Sequence, residues 1–119
     1  MHQAMTPQVT HKPLTNLITK TLQEIGYKVS LNPRIKGQSG IVHKFDIQAL
    51  KRNKILLIDT VDDEFQLLAL IGKTVDLPSF NIIGVITCNK LNHIVNSSER
   101  PKIIIHTDSE SLKKELKQI

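Results

Sequence analysis

The run Ile55-Leu-Leu-Ile-Asp-Thr-Val61 constrains the fold more than any other stretch of this chain. It is strand-length and almost wholly apolar, which suits a central strand buried on both faces. Such a strand needs a layer over each side of its sheet, so helices are expected above and below. The neighbouring segments supply them. Leu14, Leu17, Ile18, Leu22 and Ile25 recur at helical spacing, which predicts a first helix over 13–25, with Pro13 in its first turn and Gly26 as its stop. Asp62 or Asp63 can cap a second helix, with Phe65, Leu68, Ile71 and Val75 as its apolar stripe and Pro78 closing it. Thr107-Asp-Ser-Glu110 fits a capping box ahead of Leu112, Leu116 and Ile119.

The strands are read from alternation and from turn residues. Tyr27 to Asn32 is a short strand ended by Pro33, and Arg34 to Gly40 is a flexible basic loop. Residues 41–50 alternate. Val42, Lys44, Asp46 and Gln48 fall on one face, and Ile41, His43, Phe45, Ile47 and Ala49 on the other. The polar turn Lys51-Arg-Asn-Lys54 makes the next strand antiparallel. Phe80 to Thr87 and Lys102 to His106 are further strands, with a short helix over 90–97 between them. The order is α-β-β-β-α-β-(α)-β-α, an α/β fold with a mixed central sheet flanked by helices. A chain of 119 residues holds one such domain, taken as 13–119 behind a flexible tail over 1–12.

Composition excludes several classes. No apolar run approaches the ~20 residues that cross a bilayer, and the polar first 13 residues lack a signal-peptide core, so the expected location is the cytoplasm. Cys88 is the single cysteine, which rules out an internal disulfide and reads as a small buried hydrophobe. The formal charge of +5 is concentrated in the first half, where residues 1–60 carry nine Lys or Arg against three acids. Residues 61–119 carry seven against eight. A basic half suits a polyanion, because Lys and Arg displace the counterions condensed on phosphates.

Two acids stand out. An ionised Asp59 inside an apolar strand costs free energy unless something pairs with it. Asp46 lies on the adjacent strand, so both carboxylates can enter one pocket. Two carboxylates form a ligand set for Mg²⁺ or Mn²⁺, which favour oxygen donors. The alternative is that Asp59 ends its strand and accepts from a helix N-terminus. In the basic loop, Arg34 and Lys36 can contact phosphates, Gly37 and Gly40 let backbone amides approach, and Ser39 adds a donor. Lys51 and Arg52 add charge at the next turn. Four aromatic side chains, Tyr27 and three Phe, are too few for a base-stacking platform, so duplex or branched DNA is the expected partner. His43 faces away from Asp46 by alternation and reads as a packing histidine. His2, His11, His93 and His106 show no metal-ligand spacing.

The stretch Gly26 to Ala49, with Gly37, Gly40, His43 and Asp46, followed by Ile55-Leu-Leu-Ile-Asp59-Thr-Val61, resembles the PD-(D/E)xK restriction-endonuclease-like superfamily. It is most similar to the archaeal Holliday-junction resolvases and the Mrr-like endonucleases. The resemblance covers roughly residues 13–88 and implies an α-β-β-β-α-β core and a Mg- or Mn-dependent nuclease that acts on DNA. Asp46 matches the first motif acid and Asp59 the acid of the second. Two positions depart from the pattern. Val61 stands where the family carries its catalytic lysine, and Leu14-Thr-Asn-Leu17 replaces the region of a first-helix Glu. The implied enzyme is therefore a degenerate or weak nuclease. Lysines migrate within this superfamily; Lys44, two residues before Asp46, is the preferred substitute, and Lys73 on the second helix is the other. Resolvase-like relatives are dimers, which implies a homodimer here. The rival reading is a non-catalytic interaction scaffold, dimeric through the apolar edge of the strand at 102–106.

Overall fold

The computed structural model describes residues 13–87 and 101–119. The tail over 1–12, Cys88 and the helix expected over 90–97 lie outside the described residues. The elements are α1 (Pro13–Ile25), β1 (Lys28–Leu31), β2 (Arg34–Lys36), β3 (Val42–Lys44), β4 (Ile47–Lys51), β5 (Lys54–Val61), α2 (Glu64–Asp76), β6 (Asn81–Ile86), β7 (Lys102–Ile105) and α3 (Ser109–Lys117). Five strands form one mixed sheet in the order β1-β4-β5-β6-β7, with the antiparallel pairs β1–β4 and β4–β5 and the parallel pairs β5–β6 and β6–β7. The α/β architecture expected from the sequence is the one observed. No helix among the described residues is long and apolar enough to cross a membrane.

Strand β5 is central and divides its side chains between two cores. Leu56 and Ile58 enter a cluster with Ile18 and Leu22 of α1 and Leu112 and Leu116 of α3. Leu57 and Val61 enter the opposite cluster with Leu67 and Leu70 of α2. Alternation thus assigns Asp59, between Leu57 and Val61 on the same face, to the side covered by α2.

Three local expectations are corrected. First, the strand over 41–50 is broken. The main sheet ends at Leu31↔Ile47, and beyond it Arg34↔Lys44 to Lys36↔Val42 form a separate two-stranded hairpin in place of the flexible loop expected. Asn32, with φ of 55°, and Pro33 bend the chain there. The bend reverses Phe45, which packs in the α2 core while Ile47 and Ala49 pack in the α1 core. Second, α2 buries Leu67, Leu70 and Thr74 rather than the stripe expected, and Phe65, Leu68 and Val75 are exposed. Both faces of this helix are apolar, so periodicity does not fix its phase. Its start is fixed by Asp63, which accepts from Gln66 N at 2.9 Å, while Gln66 Oε1 accepts from Asp62 N at 2.7 Å. Third, α3 is capped by Asp108, which accepts from Ser111 N at 2.7 Å, and not by Thr107.

Gly84 on β6 sits opposite Asp59 on β5. A Cβ there would lie 2.6 Å from Leu70 Cδ2 and 3.1 Å from Ile103 Cδ1, so the missing side chain is what lets α2 close on the sheet. Gly84→Ala is expected to destabilise the domain by about 1–3 kcal/mol through overpacking. Urea denaturation measures this; an unchanged midpoint would mean that α2 is free to shift.

Candidate functional site

The β4–β5 ladder stops at Ile47↔Ile58, and the bend at Asp46 leaves the continuation of β5 without a strand partner on that side. The two acids fill the gap. Asp46 N donates to Ile58 O at 3.2 Å and to Asp59 Oδ1 at 2.8 Å. Asp46 Oδ2 accepts from Thr60 N at 2.8 Å and from Thr60 Oγ1 at 3.0 Å. The Asp59 carboxylate thus holds the bend at Asp46, and the Asp46 carboxylate takes the place of a ladder partner for Thr60 of β5. Asp59 lies inside β5 and accepts from a backbone amide and a lysine, so the alternative of a strand-end acid held by a helix N-terminus does not apply.

The lysine is Lys73. Its Nζ lies 2.7 Å from Asp59 Oδ2, donates to Lys44 O, and sits 4.6 Å from the centre of the Phe45 ring. Helix α2 brings it there because Lys73 is one residue from buried Thr74 and one turn beyond buried Leu70. Val61, two residues after Asp59, is fully buried beneath α2. Of the two lysines weighed, Lys73 and not Lys44 is the one that pairs with Asp59. Lys44 gives the pocket its backbone carbonyl, and its side chain lies exposed at the end of the hairpin. The sequence signal for Lys73 is its place beside the α2 core stripe, and hydrophobic spacing assigns that stripe to the wrong face.

Burial raises the Asp59 carboxyl above its ordinary value, and the hydrogen bond and charge of Lys73 oppose this. A cavity of about 280 Å³ opens over the pair, lined by Asp46, Asp59, Thr60, Gln66, Ala69 and Lys73 among others. Asp46 Oδ1 accepts no hydrogen bond among the described residues. Among those residues no three or more His, Cys, Asp or Glu are placed to hold a metal ion together. The donor set is thus two carboxylates beside open space. It fits Mg²⁺ in kind, since that ion is commonly held by one or two carboxylates and keeps several waters.

The remaining candidates fall into three places. Arg34 and Lys44 are direct cross-strand partners on the hairpin. They share its outer face with Lys36, while Ile35 and His43 turn inward. Gly37 and Ser39 are committed to the fold. Asp76 of α2 accepts from Ser39 N at 2.8 Å and Ser39 Oγ at 2.7 Å, and His43 Nε2 lies 2.6 Å from Asp76 Oδ2. A Cβ on Gly37 would lie 2.0 Å from Asp76 Oδ2, so only glycine permits this clamp. The hydrogen bonds from Ser39, then that of His43, hold the Asp76 carboxyl below its ordinary range. His43 is therefore a polar anchor of the hairpin rather than a packing residue. Lys51 and Arg52 lie at the opposite end of β4 from the acids, beside a cavity of about 660 Å³. Lys51 Nζ is 3.1 Å from Ile25 O and 5.4 Å from the Tyr27 ring centre, so it ties the end of α1 to the sheet.

No protein-family model and no curated protein matches the chain. Among solved structures it is similar to AF1548, a crystal structure described as a protein of unknown function, with a TM-score of 0.60 at 10% identity. The likeness covers 88% of this chain and 65% of that one, and at this identity it shows the fold alone.

Lys73 neutralises a carboxylate that burial already disfavours. Lys73→Met is expected to destabilise the domain by about 1–3 kcal/mol at pH 7, since it leaves Asp59 without its cation. The loss should shrink as pH falls through the carboxylate range. A raised folded-state carboxyl pKa favours the protonated native form, and removing Lys73 raises it further. Urea melts at pH 4 and pH 7 test this; an equal loss at both would show that Lys73 contributes packing only.

Proposed function

We propose that this domain binds the backbone of duplex or branched DNA through the basic hairpin and carries a divergent PD-(D/E)xK-type site at the adjoining end of the sheet. The observation that carries the reading is the joint placement of Asp46, Asp59 and Lys73 around one cavity, although the lysine is missing from its place in the sequence motif. Two acids and a lysine are the groups the resemblance implies, with helix α2 supplying the cation in place of Val61.

In this reading Asp46 and Asp59 would hold Mg²⁺ or Mn²⁺, and such an ion would bind phosphate and lower the pKa of a bound water. Lys73 places a positive charge where a scissile phosphate gains negative charge. Arg34, Lys36 and Lys44 lie on one exposed face of the hairpin. Arg34 and Lys44 repel each other as direct cross-strand partners, and a phosphate placed between them would relieve that repulsion. The Asp76 clamp keeps this face fixed relative to α2, and so relative to Lys73.

One observation favours the rival, a non-catalytic scaffold on the same fold. Both acids already hold structural partners, Thr60 for Asp46 and Lys73 for Asp59. A combined gel-shift and cleavage assay separates the readings, using labelled duplex, single-stranded and four-way-junction DNA with Mg²⁺ or Mn²⁺ over a salt series. Arg34→Ala and Lys44→Ala should each weaken binding across sequences and reduce the log–log salt slope by about one unit for each phosphate no longer neutralised. Cleavage should vanish in Asp46→Ala and Lys73→Ala while binding persists. DNA binding with no cleavage by the unmodified protein would mean a DNA-binding pseudo-nuclease. Absence of binding at low salt would leave the scaffold reading.

A further inference from the structure

The larger cavity lies at the opposite end of β4 from the acids, about 17 Å from Asp46 along the strand. It holds about 660 Å³, a size that suits a small ligand. Four cations line it. Lys51, Arg52 and Lys54 come from the β4–β5 turn, and Lys117 is the last residue of α3. Among the described residues, no acidic side chain lines it.

Two of these cations are used by the fold. Lys51 Nζ donates to Ile25 O at the end of α1, and Lys54 Nζ donates to Ile119 O, just beyond α3, at 2.6 Å. Each meets the carbonyl end of a helix, where a cation is favoured. The side chains of Arg52 and Lys117 make no hydrogen bond or ion pair among the described residues. Arg52 also occupies a strained backbone position. It stands in the two-residue turn between paired Lys51 and Lys54 with φ of 55°, where the fold alone would favour glycine. A strained residue with an unpartnered charge beside a cavity points to a binding role. Other lining residues are apolar, among them Ile25, Tyr27 and Leu116. Asn53 and Asn81 add amides that both donate and accept.

We propose that this cavity binds a nucleoside polyphosphate, with its phosphates on Arg52 and Lys117 and its nucleoside against Ile25, Tyr27 and Leu116. The two uncommitted cations supply charge for a phosphate chain, and the arginine fork matches phosphate oxygens in pairs. The apolar side chains give a ring system surface to bury, and the two amides can meet a base edge or ribose hydroxyls. A bare anion would leave the apolar lining unused. A duplex is too wide for a recess of this volume. The proposal does not rest on the nuclease reading, since none of its residues lines the cavity of Asp46, Asp59 and Lys73.

Isothermal titration calorimetry of the full chain with ADP, pyrophosphate and adenosine tests this. EDTA is present, so that no divalent ion bridges phosphates to Asp46 and Asp59. About 100 μM protein at low salt reads micromolar affinity. ADP should bind at one site per chain, pyrophosphate at least about tenfold more weakly, and adenosine without measurable heat. Arg52→Gly suits the turn and should unfold at the same temperature or higher, yet bind ADP at least about tenfold more weakly. Lys117→Gln should weaken ADP by a similar factor. Absence of ADP binding, pyrophosphate binding as tight as ADP, or an Arg52→Gly variant that binds ADP like the parent would each overturn the proposal. A parallel loss of DNA binding in Arg52→Gly would mean a general polyanion surface and would overturn it as well.

Discussion

Two-sided burial of β5 is the constraint on which the rest of this structure depends. Its alternating side chains enter two separate cores, one under α1 and α3 and one under α2. A strand in that position has no solvent-facing side on which to place a polar residue, so a carboxylate within it must find partners inside the fold. Asp59 finds them in the Asp46 amide and the Lys73 ammonium. The site is thus a consequence of where the acid stands, and α2 is the element that supplies the neutralising charge.

The second organising event is the bend after β1 and before β4. A straight strand through 41–50 would have put Phe45 on the same face as Ile47 and Ala49. The bend instead moves Phe45 across the sheet and ends the ladder beside Thr60, where the Asp46 carboxylate replaces the missing strand. The same bend lifts β2 and β3 away as an independent hairpin, and the Asp76 clamp with Ser39 and His43 then fixes that hairpin against α2. Helix α2 therefore meets the sheet, the hairpin and the site through different faces. Its fourth face, Phe65 to Val75, is the one left open.

Much of this is legible in the residues. The apolar run Ile55 to Val61 announces a central strand, and the lone acid within it announces a site. The spans of α1 and β5 and the tight β4–β5 turn follow from periodicity and turn chemistry. The phase of α2 does not, because both of its faces are apolar and hydrophobic spacing cannot choose between two such faces. The same ambiguity obscures Lys73, whose relevance depends on lying beside Leu70 and Thr74.

The sequence by itself determined the α/β layering, the closeness of two acids at the start of β4 and within β5, and the absence of a lysine two residues after Asp59. Those properties depend on local pattern and on the cost of burying charge. Only the tertiary structure decided which cation answers Asp59, which loop donors remain for a ligand, and which face of α2 is left exposed. Each of these is a contact between elements distant in sequence, 14 residues apart for Asp59 and Lys73 and 37 for Ser39 and Asp76. Such contacts are set by packing, through the recess at Gly84 and the close approach at Gly37, and no local periodicity encodes them.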